Sequence, residues 1–236
     1  MKSFIMYQLK SYARSYLFIP PVTIYLVWVF ILYSYSSNDI MSSYIQSAIA
    51  LFIIVTWMTM NIFRLEETAE NHILLVHLGQ KENYLYGKWF VCMIMLLPLV
   101  VFAHLYPILS NSFVQPLTSA DHILSLYSHI GIGGLGILIG SFFTATKMSH
   151  SKYVWLLTAL VITASLAYPK MIEVLPSKIS WILWILPPIR FFYEPLREAS
   201  VTGLPTGFLA SFSLAICYLA VAAVITLKMF LRNERL

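Results

Sequence analysis

Arg64-Leu65-Glu66-Glu67-Thr68-Ala69-Glu70-Asn71-His72-Ile73-Leu74-Leu75-Val76-His77-Leu78-Gly79-Gln80-Lys81-Glu82-Asn83-Tyr84-Leu85-Tyr86-Gly87-Lys88 is a charged stretch between two uncharged runs. On its N-terminal side, 40–63 carries no Asp, Glu, Lys or Arg, and neither does 89–120 on its C-terminal side. A helix needs about 20 apolar residues to cross a hydrocarbon core. Both flanks meet that length, so the charged stretch reads as a loop between two membrane spans. Within it an acidic start leads to a short apolar turn at Leu74, Leu75 and Leu78. Gly79 breaks that turn, and Gly87-Lys88 leads into the next span.

The same pattern continues outward. Apolar residues make up 59% of the chain and charged ones 11%, with mean hydropathy +0.78; a soluble domain averages about 25% charged. Uncharged runs also cover 15–38, 122–146, 153–169 and 199–227. The run 153–169 is short, and 179–189 is too short to cross and is broken by Pro187-Pro188. The expectation is an all-α polytopic membrane protein with six spans and one domain over 1–236. Six spans put both termini on one side. That side holds Lys2, Lys10, Arg14, Arg64, Lys81, Lys88, Lys147, Lys152, Lys228, Arg232 and Arg235, against Lys170, Lys178, Arg190 and Arg197 on the other. Eleven against four places both termini in the cytoplasm. The net charge of +5 then reflects topology and anionic lipid rather than a nucleic-acid partner.

Residues 1–17 alternate at helical period. Ile5, Leu9, Tyr12 and Tyr16 share one face and Ser3, Lys10, Ser11 and Arg14 the other, with Phe4 and Tyr7 breaking the pattern. This predicts an interfacial amphipathic helix in the headgroup layer, turned into the first span at Pro20-Pro21; a long first helix with a basic start is the alternative. The third span is expected to kink or stop near Pro98 and Pro107. The segment 169–205, with Trp181, Trp184, Pro187-Pro188, Arg190, Phe191-Phe192-Tyr193 and Glu194, reads as an external re-entrant or interfacial helical hairpin before the last span. Cys92 and Cys217 lie inside spans and read as packing residues. A cleaved leader is not expected, because no clean small-x-small site follows the first apolar run.

Few motifs suggest chemistry. Gly131-Ile132-Gly133-Gly134-Leu135-Gly136 spells G-x-G-x-x-G, but it sits within a span, without the strand and acidic partner of a dinucleotide site. Gly133, Gly136 and Gly140 are better explained by close helix packing. No H-E-x-x-H occurs. Glu66 and Glu67 lie on the opposite side from His104, His122 and His129, so no metal or catalytic site is expected. The histidines read as interfacial, with His129 alone a candidate to face a polar cavity. Ser141 has no histidine base at its depth. No charge falls within the spans as drawn, so ion coupling is not expected. The chain also lacks G-x-x-x-x-G-K-[ST], so any ATP-driven motor must be another chain.

Glu66-Glu67, Leu74-Leu75, Gly79, Gln80-Lys81 and Gly87-Lys88 resemble the acidic start, Leu-Leu pair, helix break, polar-basic turn and span entry of ABC-2-type (type V exporter-like) ABC transporter permeases. The layout is similar over the whole chain. Gly79 stands where the family often has proline, and no Gly-Thr follows the acidic residues.

The resemblance implies two six-span subunits, identical or not, with two ABC ATPase subunits that bind ATP and Mg; this chain itself would bind no cofactor. It makes 64–88 a cytoplasmic coupling segment, with the coupling helix near 68–78. Glu66, Glu67 and Glu70 would make polar contacts to the ATPase, and Leu74, Leu75 and Leu78 would fill its socket, with Gly79 and Lys81 forming the turn. The alternative is a solvated loop capped by Thr68 or Asn71 and by Gly79. Tyr25, Trp28, Tyr33, Trp57 and Asn61 are candidates to line an uncharged transport path between permease halves. Such a path suits an amphipathic cargo, and export of antimicrobial or toxin peptides across a bacterial plasma membrane is the leading expectation. A permease for lipid-linked glycans or drugs is an alternative. So is a non-transporting membrane immunity or sensor protein whose 64–88 loop docks a signalling partner.

Overall fold

The computed structural model describes residues 1–34, 39–146, 152–174, 183, 186–197, 205 and 207–232. Those residues form nine helices and no strand: α1 (Lys2–Ser15), α2 (Ile19–Leu32), α3 (Ile40–Phe63), α4 (Thr68–Leu78), α5 (Lys81–Leu109), α6 (Ser119–Ala145), α7 (Val154–Val174), α8 (Arg190–Arg197) and α9 (Phe208–Leu231). Five of them, α3, α5, α6, α7 and α9, are long and apolar enough to cross a membrane. The pair α1 and α2, bent by 78°, makes a sixth if counted as one span. The chain is therefore a membrane-spanning helical protein.

The bend is built locally. Tyr16 ends α1 in the left-handed region at φ 57°. Pro20 and Pro21 then fall in the first turn of α2, where a missing N–H costs nothing and the fixed φ suits a helix. With 14 residues, α2 spans about 21 Å, less than a hydrocarbon core. The side of α1 that packs inward is Phe4, Gln8 and Tyr12 at i, i+4, i+8, so Phe4 anchors the helix rather than breaking its pattern. Its ring lies against Tyr84, centroids 5.6 Å apart, and covers Gly87 so closely that a Cβ there would sit 2.5 Å from it.

Three helix boundaries differ from expectation. α5 begins at Lys81, not at 89, because Tyr84, Leu85, Gly87 and Lys88 are buried against the rest of the bundle. It does not end at Pro98 or Pro107, both of which lie inside it; neighbouring helices and local adjustments let a packed membrane helix accommodate proline. α7 likewise passes Pro169 and ends at Val174. Trp181, Trp184, Lys178, Lys147, Glu234 and Arg235 lie outside the described residues.

The core is the seam between α3 and α6, the most extensive helix pair. The glycines of α6 each meet a different neighbour. A Cβ on Gly136 or Gly140 would lie 3.0 Å from Phe52 O or 2.8 Å from Thr56 O of α3. One on Gly133 would strike Leu96 of α5, and one on Gly131 would strike Phe192 of α8. The run that spells a nucleotide fingerprint is thus a set of close approaches to three helices. Thr118 and Asp121 form a capping box that starts α6, and the Asp39 carboxylate accepts from Ser42 N–H at 2.9 Å to start α3.

α8 lies along α6, in contact with α3 and α9. Leu196 packs with Tyr44 and Leu124 near the start of α6, and Phe192 sits on Gly131. Pro187 shares a cavity with Leu135 and Ile139. Leu135 lies about 24 Å from the first residue of α6, so Pro187 sits beside the middle of α6 rather than at its end; most of 175–185 lies outside the described residues. The outer faces of α7 and α9 are largely uncovered by the rest of the chain.

Candidate functional site

The charged stretch folds into a corner that holds three elements together. α3 ends at Phe63, residues 64–67 turn, and α4 starts at Thr68 with Glu67 as its extended N-cap and no side-chain cap. Neither Thr68 nor Asn71 occupies that cap position: Thr68 is already in the helix and Asn71 lies beyond it. Gly79 closes α4 in the left-handed region at φ 71°, where only a residue without Cβ is unstrained, and its N–H donates to Val76 O.

Glu66 is the hub. Lys88 Nζ of α5 donates to Glu66 Oε2 at 2.5 Å and to the Ile62 carbonyl in the last turn of α3 at 2.6 Å. The two side chains are 0% and 2% exposed. Tyr84 of α5 donates to Glu66 Oε2 at 3.3 Å, and Gln8 Nε2 of α1 donates to Oε1. The ammonium also lies over the rings of Phe63 and Tyr84, 5.6 and 5.4 Å from their centroids. Tyr84 stacks on Phe230 of α9 at 6.0 Å. The carboxylate balances the buried ammonium, and the ammonium sits at the negative end of α3. One ion pair thus ties α1, the α3–α4 corner and α5, while Tyr84 joins α9 to the same cluster.

This revises the expected contacts. Glu66 is turned into the bundle and is not a surface docking group. Leu75 is buried, and Leu74 and Leu78 pack against the same core, so all three leucines face the chain's own interior. The outward apolar residues of α4 are Ile73 and Val76, 69% and 83% exposed, flanked by exposed His72 and His77. Glu67 is exposed, and Glu70 accepts from Tyr7 Oη of α1; that bond holds the phenol above its usual pKa. Gly79 is exposed at the C-terminal end of α4, and Lys81 is the first residue of α5. A cleft of about 410 Å³ separates α1 from α4, lined by Ser3, Phe4, Tyr7, Leu74, His77 and Asn83 among others.

Lys88 is inside α5 rather than in the loop before it, and Asp121 is buried at the start of α6. Gln8, Tyr84 and Lys88 were not among the expected site residues. Their signals were present as two i, i+4 pairs, Gln8 with Phe4 and Tyr84 with Lys88, each lying on the buried face of its helix.

Of the five path candidates, Tyr25 and Trp28 border one groove, and Tyr33, Trp57 and Asn61 lie outside its lining. Tyr25 and Tyr33 belong to the buried stripe of α2 and point into the chain's own core. Trp28 is 45% exposed and shares a groove of about 400 Å³ with Tyr25, Ile24, Gln46 and Ile53. Trp57 packs against the core, and Asn61 donates to Leu17 O at 3.3 Å.

At the far end of the bundle, His104 and His129 are buried within the chain's own interior. His129 spans α6 and α3, its Nε2 2.9 Å from Ser47 Oγ and its Nδ1 2.8 Å from Ser125 O, and does not face a cavity. Because Nδ1 must donate to that carbonyl, Nε2 accepts from Ser47 in the neutral ring. Ser141 accepts from Trp89 Nε1 at 2.9 Å and donates to Leu138 O, a structural hydroxyl. Comparison of the chain with protein-family models, with curated proteins and with solved structures finds no match.

Proposed function

We propose that the chain is the permease subunit of an ATP-driven exporter of the ABC-2 type, and that α4 is the helix on which a separate ATPase pushes. The observation that carries this reading is the construction of α4. It is a short helix hung between α3 and α5, with Ile73 and Val76 outward and its root fixed to α1 and α5 through Glu66 and Lys88. A loop that only linked two spans gains nothing from exposed Ile73 and Val76 above a sealed ion pair. A partner that covered those two side chains would gain about 25 cal/mol per Å² of apolar surface. Any displacement of α4 would then pass through Glu66 into α5 and α1.

Three further features support the same reading. The 78° bend between α1 and α2 suits an interfacial helix leading into the first span. The placement of Pro187 and Phe192 beside the middle of α6 suits a re-entrant hairpin. The excess of Lys and Arg at the α4 end makes that end cytoplasmic. The cargo would be amphipathic, a peptide exported from a bacterial cell, moving between this subunit and a second permease half. ATP and Mg would be held by the two ATPase subunits.

The test is ATP turnover of the co-purified complex in lipid nanodiscs. An ATPase is expected to accompany the wild-type chain. Ile73→Asp/Val76→Asp is expected to lower its recovery or its turnover at least tenfold while the melting temperature of the permease stays unchanged. If no ATPase accompanies the wild-type chain, the exporter reading fails, and a non-transporting protein that docks a signalling partner through α4 replaces it.

A further inference from the structure

The end of the bundle away from α4 carries a second polar cluster that the transport reading does not use. His104 of α5 and His122 of α6 face each other, His104 Nε2 lying 3.1 Å from His122 Nδ1, ring centroids 5.2 Å apart. His104 is held from three directions. Its Nδ1 is 3.1 Å from Ser125 Oγ, Tyr44 stacks on its ring at 5.7 Å, and the Tyr44 hydroxyl donates to its backbone carbonyl at 3.2 Å. His122 lines a cleft of about 430 Å³ together with Asn111 and Gln115.

We propose that His104 and His122 form an open two-histidine site for a divalent transition-metal ion of the zinc type. A metal–imidazole bond is about 2.0–2.1 Å long. Two nitrogens 3.1 Å apart then subtend about 100° at the ion, between the octahedral and tetrahedral values. The ring nitrogens, now in hydrogen-bond contact, already have the separation of neighbouring ligands. Ser125 supplies the outer partner that a metal-ligating histidine ordinarily has: an Nδ1–H donated to its hydroxyl leaves the His104 Nε2 lone pair for the ion. His122 binds through Nδ1 once its ring proton resides on Nε2, and both rings coordinate as neutral imidazoles. Among the described residues no three His, Cys, Asp or Glu side chains converge on one point. Water from the cleft, or the side-chain carbonyl of Asn111 or Gln115, completes the shell. Bound metal would pin the end of α5 to the start of α6. This inference does not depend on the role of α4.

Zinc titration by calorimetry, using the full chain in nanodiscs without a histidine tag, tests it. The background variant His72→Ala/His77→Ala/His150→Ala removes the other candidate histidines. In that background, saturation at one zinc per chain is expected, and cobalt in place of zinc should give visible absorption bands. His122→Gln is expected to abolish saturable binding, with an unchanged metal-free melt as the check on folding. Ser125→Ala is expected to weaken binding by about ten- to a hundredfold. Absence of binding in the background variant, an adventitious surface ion only, overturns the proposal. So does wild-type affinity in His122→Gln.

Discussion

Lys88→Met is expected to destabilise the chain by about 3–5 kcal/mol, because it leaves the Glu66 carboxylate buried without its counter-charge. The side chains of the pair are 0% and 2% exposed, so water cannot take the lost partner's place. Glu66→Met strands the ammonium instead and should cost a similar amount. In Glu66→Met/Lys88→Met no buried charge remains, and a hydrophobic pair of similar volume often matches or exceeds a buried ion pair. Recovery should nevertheless be partial. Gln8 Nε2 and Tyr84 Oη lose their acceptor, and each buried donor left unpaired costs about 1–3 kcal/mol. Thermal melts of the three variants in detergent check this ordering, with the double variant above both singles. A double variant as unstable as the sum of the singles would mean that the two groups do not act as a pair.

Gly140→Leu should be the most damaging change in the interior of α6. A Cβ there would meet Thr56 O at 2.8 Å and Thr59 Cβ at 2.8 Å. The first of these is backbone and cannot turn aside, so α3 and α6 must separate along the seam that carries the core. Overpacking of a well-filled interior costs about 1–3 kcal/mol or more. Gly134→Leu places the same side chain on the same helix where the only near atom is Leu219 Cδ2 at 4.0 Å, and it should be tolerated. Gly131→Ala falls between them, because the clashing atoms belong to the Phe192 side chain and not to backbone. A melt or a yield of folded protein ranking Gly140→Leu below Gly131→Ala and Gly134→Leu confirms the order. Equal losses at Gly134 and Gly140 would contradict it.

The helical, membrane-spanning class was legible because freedom from charge over a bilayer length is a one-dimensional property. The break at Gly79 was also legible, because a left-handed residue at a helix end favours glycine whatever surrounds it. The facing of side chains was not. In α4 the leucines and the Ile73/Val76 pair are both apolar, so periodicity alone could not say which side meets the bundle. The packing of Leu75 into the core decided it. By sequence Lys88 is the loop's last residue, because a lysine normally ends a span. Its inclusion in α5 depends on Glu66, whose partnership is visible only once α3 and α5 lie side by side. The chemistry of Tyr25 and Tyr33 suits a path, yet their i, i+4, i+8 stripe with Val29 turns inward. His104 and His122 are separated by a loop, and only the return of α6 alongside α5 brings their rings together.

In the proposed exporter, α4 meets a soluble motor with its outer face while its inner face holds the bundle. Paired pull-down and melting measurements on two double variants test it most directly. Ile73→Asp/Val76→Asp should lose the co-purifying ATPase and keep the wild-type melting temperature. Leu74→Ala/Leu75→Ala should lower the melting temperature by several degrees, as expected for a few kcal/mol lost from a core. The reverse pattern, with the ATPase lost only in the leucine variant at an unchanged melting temperature, would contradict the account.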